Sequence, residues 1–417
     1  MGKIVINGGR RLDGELKIQG SKNSVLPILA ACVLCDGVCV LKNCPDISDV
    51  KSATEIIEAL GGKISRQDDA LIVDATSISN GEIPKLLMQK MRSSVMFLGP
   101  VLARVKNAVI YTPGGCEIGA RPIDIHINAL LKLGAEIKDE GEKTSFSLKN
   151  PKASYVHLSF PSVGATENAM MSAVFTDGIT KISNPAMEPE ITELQNFINK
   201  MGGKISGAGT KLITVEGVKK LKGTEYTITG DRIVCATYLF GTALAGGDVN
   251  FCGVSHEDLD AVISVLKEMD CRMSISKNNI RLTSDGKLKA VSRVRTQVFP
   301  GFPTDAQAPL TTALSVAQGT SVVREEIFEN RFRHASELNK MGADIRIDNG
   351  VLVICGVKKL VGTSVYATEL RGAGALCMAG LCAEGKTEVY GTEYLDRGYE
   401  KIERALSIIG ADIKREG

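Results

Sequence analysis

Apolar residues along this chain switch between two periods, about 3.6 residues in one stretch and about 2 in the next. SDVKSATEIIEAL at 48–60 has helical spacing, and ALIVDA at 70–75 has strand spacing. The helical stretches end in a recurring signature: LGGKI at 60–64, LGAEI at 133–137, MGGKI at 201–205, MDCRM at 269–273, MGADI at 341–345 and IGADI at 409–413. Its second residues are Gly61, Gly134, Gly202, Asp270, Gly342 and Gly410, so successive copies lie 73, 68, 68, 72 and 68 residues apart. Six such copies define a repeat, the feature to establish before any other.

Each copy has one grammar. A helix stops at the signature glycine, a C-cap signal. Two strands follow, the second being ALIVDA, SFSLKN, LITVEG, NIRLTS or VLVICG. An extended segment and a polar loop then open a helix rich in small residues, such as ATENAMMSAVF or ATYLFGTALA. A further strand, such as GVCVLKN or GITKISN, leads to a second polar loop and the next signature helix. The unit reads as βαβαββ. The sixth copy has no second strand after IGADIKREG. The N-terminal KIVINGGRRLDGELKIQGSKN aligns with VLVICGVKKLVGTSVYATELRG at 351–372 and supplies the missing piece. The expectation is an α/β (α+β) protein of two domains with three repeats each. One spans 22–229; the other combines 1–21 with 230–417. A cleft between two such domains is a natural ligand site.

Composition narrows the classes. With 44% hydrophobic and 24% charged residues, the 417-residue chain reads as an ordinary globular protein. Its net charge is +2, with no long single-sign block, which gives no sign of nucleic-acid binding. No apolar run approaches the roughly 20 residues of a membrane helix, and the N-terminal segment lacks the apolar core of a signal peptide. Eleven cysteines are an odd count in a long chain, which favours reduced thiols over a disulfide scaffold. Cys32 and Cys35 have zinc-like spacing, with Cys39 and Cys44 beyond them. No matching second pair follows, however, and the apolar run VLPILAACVLC favours packing over metal.

Two sets of loops open helices. The first is QGSKNS, QKMRSS, PSVGATEN, TGDRIV, FPTDAQ and ATELRG; the second is NCPDISD, PGGCEIGARP, NPAMEPE, GVSHEDL, FENRFRH and EYLDRGY. Helix starts favour anions. A cation there works against the helix dipole, yet Lys22, Arg92, Arg121, Arg331, Arg371 and Arg397 all fall in these loops. As a set they point to an anionic ligand, with arginines offering paired donors to phosphate or carboxylate. Asp305 and Glu369 sit in the same loops and are either caps or general bases. His126 lies in an apolar-periodic helix, either packed or donating to a ligand. Cys116, between Gly115 and Glu117, is a candidate nucleophile or proton donor.

GSKNSVLP, MRSSVMFLGP, PGGCEIGARPIDIH, PSVGATEN, EPEI, GFPTDAQA, FENRF, LRG and LDRGYEKIE occur in this order and spacing. With them the chain, over essentially its full length, resembles the UDP-N-acetylglucosamine 1-carboxyvinyltransferases of the enolpyruvyl transferase family. The resemblance implies two inside-out α/β barrels of three βαβαββ units, with the active site in the interdomain cleft. It implies transfer of the enolpyruvyl group of phosphoenolpyruvate to the 3′-hydroxyl of UDP-N-acetylglucosamine (UDP-GlcNAc) with release of phosphate. This is a bacterial, cytoplasmic step of peptidoglycan synthesis that needs neither metal nor cofactor. Residue by residue, Lys22, Arg121 and Arg397 would hold phosphate, while Arg92, Arg331 and Arg371 would complete the anion site. Asp305 would take the hydroxyl proton and Asn23 would bind the sugar. Arg121, Pro122, Ile123, Asp124, Ile125, Ser162, Val163, Gly164 and Ile327 would line the nucleotide-sugar site. Cys116 would protonate the enolpyruvyl methylene from a mobile loop and would be the residue alkylated by the antibiotic fosfomycin.

The chain departs from the family pattern at Glu369, where Asp is usual, and at Val234 and Ser48. These departures keep a weakly active paralogue open. The competing readings are the shikimate-pathway enolpyruvyl transferase, a Cys116–His126 hydrolase and a non-catalytic ring or clamp. The PGGC loop disfavours the first, and the neutral charge the last.

Overall fold

The computed structural model describes residues 2–111 and 123–417. They divide into two compact units: 20–111 with 123–229, and 2–19 with 230–417. All six signature positions have a positive φ, from 75° at Asp270 to 104° at Gly202. An αL residue closes a helix by returning amide hydrogens to its last carbonyls. Gly61, Gly134, Gly202, Gly342 and Gly410 adopt it without a Cβ penalty, whereas Asp270 belongs to a type that tolerates it. The signature is thus a helix stop followed by a reversal into a strand.

The small-residue-rich helices form the inside of each unit. In the unit of 230–417 these are Arg232–Ala245, Gln307–Leu314 and Leu370–Cys382, each packed against the other two. All but a few of their residues are buried, which is why they lack a polar face. In the unit of 20–229, Leu98–Val105 packs on Val163–Ala173, and the 3-10 turn Arg92–Phe97 touches both and Lys22–Cys32. Gly99 permits the close crossing: a Cβ there would lie 2.6 Å from the carbonyl oxygen of Asn168.

Sheets surround the helices. Their strands alternate buried and exposed positions, as in Val38–Lys42, with Cys39 and Leu41 facing in. Among the described residues there are five four-stranded sheets and one of three strands. In the smaller one a single bridge, Glu82 to Val109, takes the place of the fourth strand. Strand Lys3–Asn7 lies between Lys386–Tyr390 and Asp412–Glu416, antiparallel to both. Two edge strands are exchanged between repeats. Leu12–Lys17 joins Gly247–Cys252 in parallel, and Glu225–Thr227 joins Val38–Lys42. Each precedes a crossing between units, at Gly20 and Gly230.

Cys32, Cys35, Cys39 and Cys44 are buried in the apolar core of their unit, and the ten described cysteines are free thiols. Among the described residues no His, Cys, Asp and Glu side chains group to hold a metal ion. No helix is long and apolar enough to cross a membrane.

Candidate active site

Cys116, Arg121 and Pro122 lie outside the described residues. The remaining candidates fall into two groups, one on each unit.

On the unit of 20–229, Ser21 caps the helix Lys22–Cys32, its hydroxyl accepting from Ser24 N–H. Lys22, the first helical residue, is buried, and its Nζ pairs with Asp49 Oδ2 at 2.6 Å. Asn23 beside it is half-buried. Arg92 opens the 3-10 turn, where burial lowers its pKa. Ser162 caps Val163–Ala173, accepting from Ala165 N–H, so Val163 and Gly164 form the first turn. Ile123 and Asp124 begin the helix Asp124–Lys132; Asp124 is exposed, and Ile123 and Ile125 are half-buried. His126 on that helix is buried, and burial and the charge of Arg92 hold its pKa down at about 4.

The other group centres on Asp305. Arg331 Nη2 donates to its Oδ1 at 2.6 Å. Arg371 donates to its Oδ2 from Nε at 3.1 Å and Nη2 at 2.9 Å. Both arginines are buried, while the Asp305 side chain keeps 27% exposure. Burial alone would raise the Asp305 carboxyl pKa. Arg371 and Arg331 outweigh it and hold the group far below the usual carboxylate range. The two arginines exceed the one carboxylate in charge, and Arg331 Nε and Arg371 Nη1 are buried without a partner among the described residues. A buried unpaired N–H costs on the order of 1–3 kcal/mol and marks a place where something else supplies an acceptor. Gln307 Oε1 and both ring nitrogens of His334 are likewise unpartnered. Burial holds the His334 pKa at about 3, so its ring is neutral. Arg397 is half-buried after the short helix Thr392–Leu395, and Ile327 is half-buried.

Two sequence arguments change in this light. First, carboxylates pair with three of the six loop cations: Lys22 with buried Asp49, and Arg331 and Arg371 with the one partly exposed Asp305. Their position at helix starts therefore has a local explanation as well as a ligand-directed one. Second, the two carboxylates with open roles separate. Glu369 is a cap, its Oε2 accepting from Arg371 N–H at 2.8 Å and its Oε1 from Gly372 N–H. Asp305 caps nothing, since both its oxygens face arginine side chains.

Sequence reasoning passed over Glu325, Tyr399 and Asp49. Glu325 accepts from Thr296, Ile327 N–H and Phe328 N–H with Oε1 and from Thr304 with Oε2. It thereby ties the Ile327 loop to the turn carrying Asp305. Tyr399 is buried, with its ring 6.0 Å from the Arg371 guanidinium and its hydroxyl 3.0 Å from Thr237 Oγ1. Asp49 and Tyr399 lie inside the repeated loops and Glu325 three residues before one, the only signal that could have found them.

Residues 6–406 match the family model described as EPSP synthase (3-phosphoshikimate 1-carboxyvinyltransferase). A protein of Caldanaerobacter subterraneus subsp. tengcongensis named UDP-N-acetylglucosamine 1-carboxyvinyltransferase 2 is 50% identical over all of both chains. Relatives bearing the UDP-N-acetylglucosamine 1-carboxyvinyltransferase name in Carboxydothermus hydrogenoformans and Myxococcus xanthus are each 44% identical. They are covered over 98% and 100% of their lengths and match all of this chain. Among solved structures, the enolpyruvyl transferase NikO from Streptomyces tendae superposes with a TM-score of 0.89 at 24% identity, over 100% of this chain and 99% of that one. EPSP synthase from Acinetobacter baumannii gives 0.76 at 19% identity over all of both chains. At these identities the structures speak for the fold.

Proposed function

Because this chain belongs to the EPSP synthase family of enolpyruvyl transferases, we propose that it transfers the enolpyruvyl group of phosphoenolpyruvate to the 3′-hydroxyl of UDP-GlcNAc and releases phosphate. The step belongs to peptidoglycan synthesis in the bacterial cytoplasm. The choice of acceptor rests on relatives that carry that name at 44–50% identity over full length. The observation in the molecule that supports the chemistry is Asp305, ionised between two buried arginines that keep unpaired donors.

The reaction is an addition followed by an elimination. The sugar oxygen bonds to C2 of phosphoenolpyruvate while C3 takes a proton, giving a tetrahedral ketal. Loss of a C3 proton and of phosphate then leaves the enol ether. Asp305 accepts the hydroxyl proton. Arg331 and Arg371 keep it ionised at neutral pH, and each arginine donor that turns toward an anionic substrate raises its basicity. Arg331, Arg371, Arg397, Arg92, Arg121 and Lys22 bind the carboxylate and phosphate, which carry the charge that builds in the transition state. Asn23, Pro122, Ile123, Asp124, Ile125, Ser162, Val163, Gly164 and Ile327 hold the nucleotide sugar. Cys116 delivers the C3 proton; a thiol suits the role, because its ordinary pKa of ~8.5 keeps it protonated at neutral pH. Glu369 is a positioning residue, which as a cap fixes the helix turn that presents Arg371.

The test is product analysis by mass spectrometry. Incubation with phosphoenolpyruvate and UDP-GlcNAc should yield the nucleotide sugar bearing one added enolpyruvyl group. Unchanged nucleotide sugar under conditions where phosphoenolpyruvate is consumed would overturn the assignment.

A further inference from the structure

Gln19 is half-buried and is the last residue of its unit before the chain crosses at Gly20. Its side chain spans two backbone groups of the loop that follows the short helix Thr392–Leu395. Gln19 Nε2 donates to the Gly398 carbonyl at 3.1 Å, and Gln19 Oε1 accepts from Glu400 N–H at 2.7 Å. A carbonyl can only accept and a backbone N–H can only donate, so a single orientation of the amide satisfies both. The turn itself pairs the preceding N–H groups: Arg397 donates to the Tyr394 carbonyl, and Gly398 and Tyr399 donate to that of Leu395. Gln19 takes two groups that the turn does not pair. Its own carbonyl accepts from Asp231 N–H at 2.8 Å, one residue after the second crossing at Gly230.

The clamped loop carries Arg397, and the residues on either side of that arginine are fixed one by one. Arg415 donates to both carboxylate oxygens of Asp396, at 3.0 and 2.7 Å. Gly398 lies against the turn that presents Arg371, where a Cβ would stand 2.8 Å from Leu370 Cδ2. Tyr399 is 1% exposed, and its ring enters the gap left by Gly374, where a Cβ would stand 2.5 Å from the phenol oxygen. The same ring lies beside the Arg371 guanidinium. Packed neighbours therefore join Arg397 to the Arg371–Asp305 cluster, and the two bonds from Gln19 bracket Tyr399, the residue that makes the join.

We propose that Gln19 is a positioning residue for Arg397: by bracketing Tyr399 it fixes the spacing of Arg397 from Arg371 and so sets the affinity for phosphate and for phosphoenolpyruvate. The inference rests on the reading of Arg397 as an anion-binding residue given above. A cation on a loop already held in place binds an anion without first paying to order that loop. The coupling is reciprocal. Whatever factor the clamp adds to anion binding, a bound anion must return to the clamp.

Calorimetry with inorganic phosphate and with phosphoenolpyruvate tests it. Gln19→Ala should weaken both about 10-fold, the scale of two lost hydrogen bonds, and should raise KM for phosphoenolpyruvate by a similar factor. KM for UDP-GlcNAc should stay within about two-fold of wild type, a split that a general loss of stability would not produce. In an Arg397→Ala background there is no cation left to place, and the same substitution should change anion affinity by less than about two-fold. In the unmodified protein, hydrogen exchange of Glu400 N–H should slow several-fold at saturating phosphate, and this measurement decides if Gln19→Ala fails to fold. Unchanged phosphate affinity in Gln19→Ala, an equal loss in both backgrounds, or Glu400 exchange unmoved by phosphate would each overturn the proposal. Phosphate binding needs no acceptor. Failure of the acceptor assignment therefore shows separately, as absence of turnover with UDP-GlcNAc in a wild type whose phosphate binding still depends on Gln19.

Discussion

At the scale of single residues, Asp305 carries the most consequence. Asp305→Asn leaves Arg331 and Arg371 buried beside a neutral amide. Turnover should fall by roughly 10²–10⁴-fold, the usual contribution of a general base. The variant should also melt at a lower temperature than wild type. The loss should be smaller than the ~3–5 kcal/mol of breaking a fully buried pair, because Asp305 is partly exposed. Phosphoenolpyruvate should raise its melting temperature more than it raises that of wild type, since the anion replaces the missing charge. An equal rise in both proteins would contradict the view of these arginines as an anion site. The pH dependence has a definite sign. The folded pKa of Asp305 is depressed, so its stabilisation is present above the unfolded value of ~3.9 and is lost as pH falls through and below it. The two histidines act at higher pH. With folded pKa values of about 4 and about 3 against an unfolded value of ~6.5, His126 and His334 leave the unfolded chain binding more protons. Stability should fall as pH drops from 6.5 toward 4, by about 1.4 kcal/mol per pH unit for each histidine. Denaturant melts of His334→Gln across that range should show the slope reduced by one proton. In the sequence, Asp305 and Glu369 look alike, as carboxylates at helix starts. Only three-dimensional placement separates the ion pair from the cap, and the His126–Asn168 contact joins residues 42 apart that no local pattern connects.

At the scale of elements, the cap on Leu370–Cys382 links stability to the site. Glu369→Asp keeps a carboxylate suited to an N-cap, so denaturant melts should find the stability changed by less than about 1 kcal/mol. Glu369→Ala should cost about 1 kcal/mol of stability and should depress kcat further than the same cost elsewhere, because the turn it fixes carries Arg371. Identical activity losses from Glu369→Ala and from an equally destabilising substitution on an outer strand would remove its positioning role. The helix stops were legible in advance because a left-handed residue is a local demand that glycine meets best, and all six signature positions adopt it. The alignment of residues 3–23 with 351–372 anticipated that Lys3–Asn7 belongs beside the last strands of the chain. The exchanged edge strands were not legible. Glu225–Thr227 is three residues long and Leu12–Lys17 mostly exposed, so neither carries enough periodicity to name its partner.

At the scale of the whole molecule, six copies of one supersecondary unit carry side chains that differ between copies. The repeat explains the architecture, with apolar helices enclosed by half-exposed sheets, and says nothing about chemistry. Chemistry lies in the copies' departures from one another. Cys116 stands in one second-set loop only, and an arginine–aspartate cluster is found around Asp305. Fosfomycin should add one adduct to the protein by mass spectrometry, and Cys116→Ser should abolish it. Labelling that persists in the serine variant would move the reactive thiol elsewhere.

The acceptor is the central claim, and phosphate release tests it most directly. With phosphoenolpyruvate held constant, UDP-GlcNAc should release inorganic phosphate stoichiometrically with the enolpyruvyl product, and shikimate 3-phosphate should release none. Phosphate release with shikimate 3-phosphate and not with UDP-GlcNAc would contradict the account.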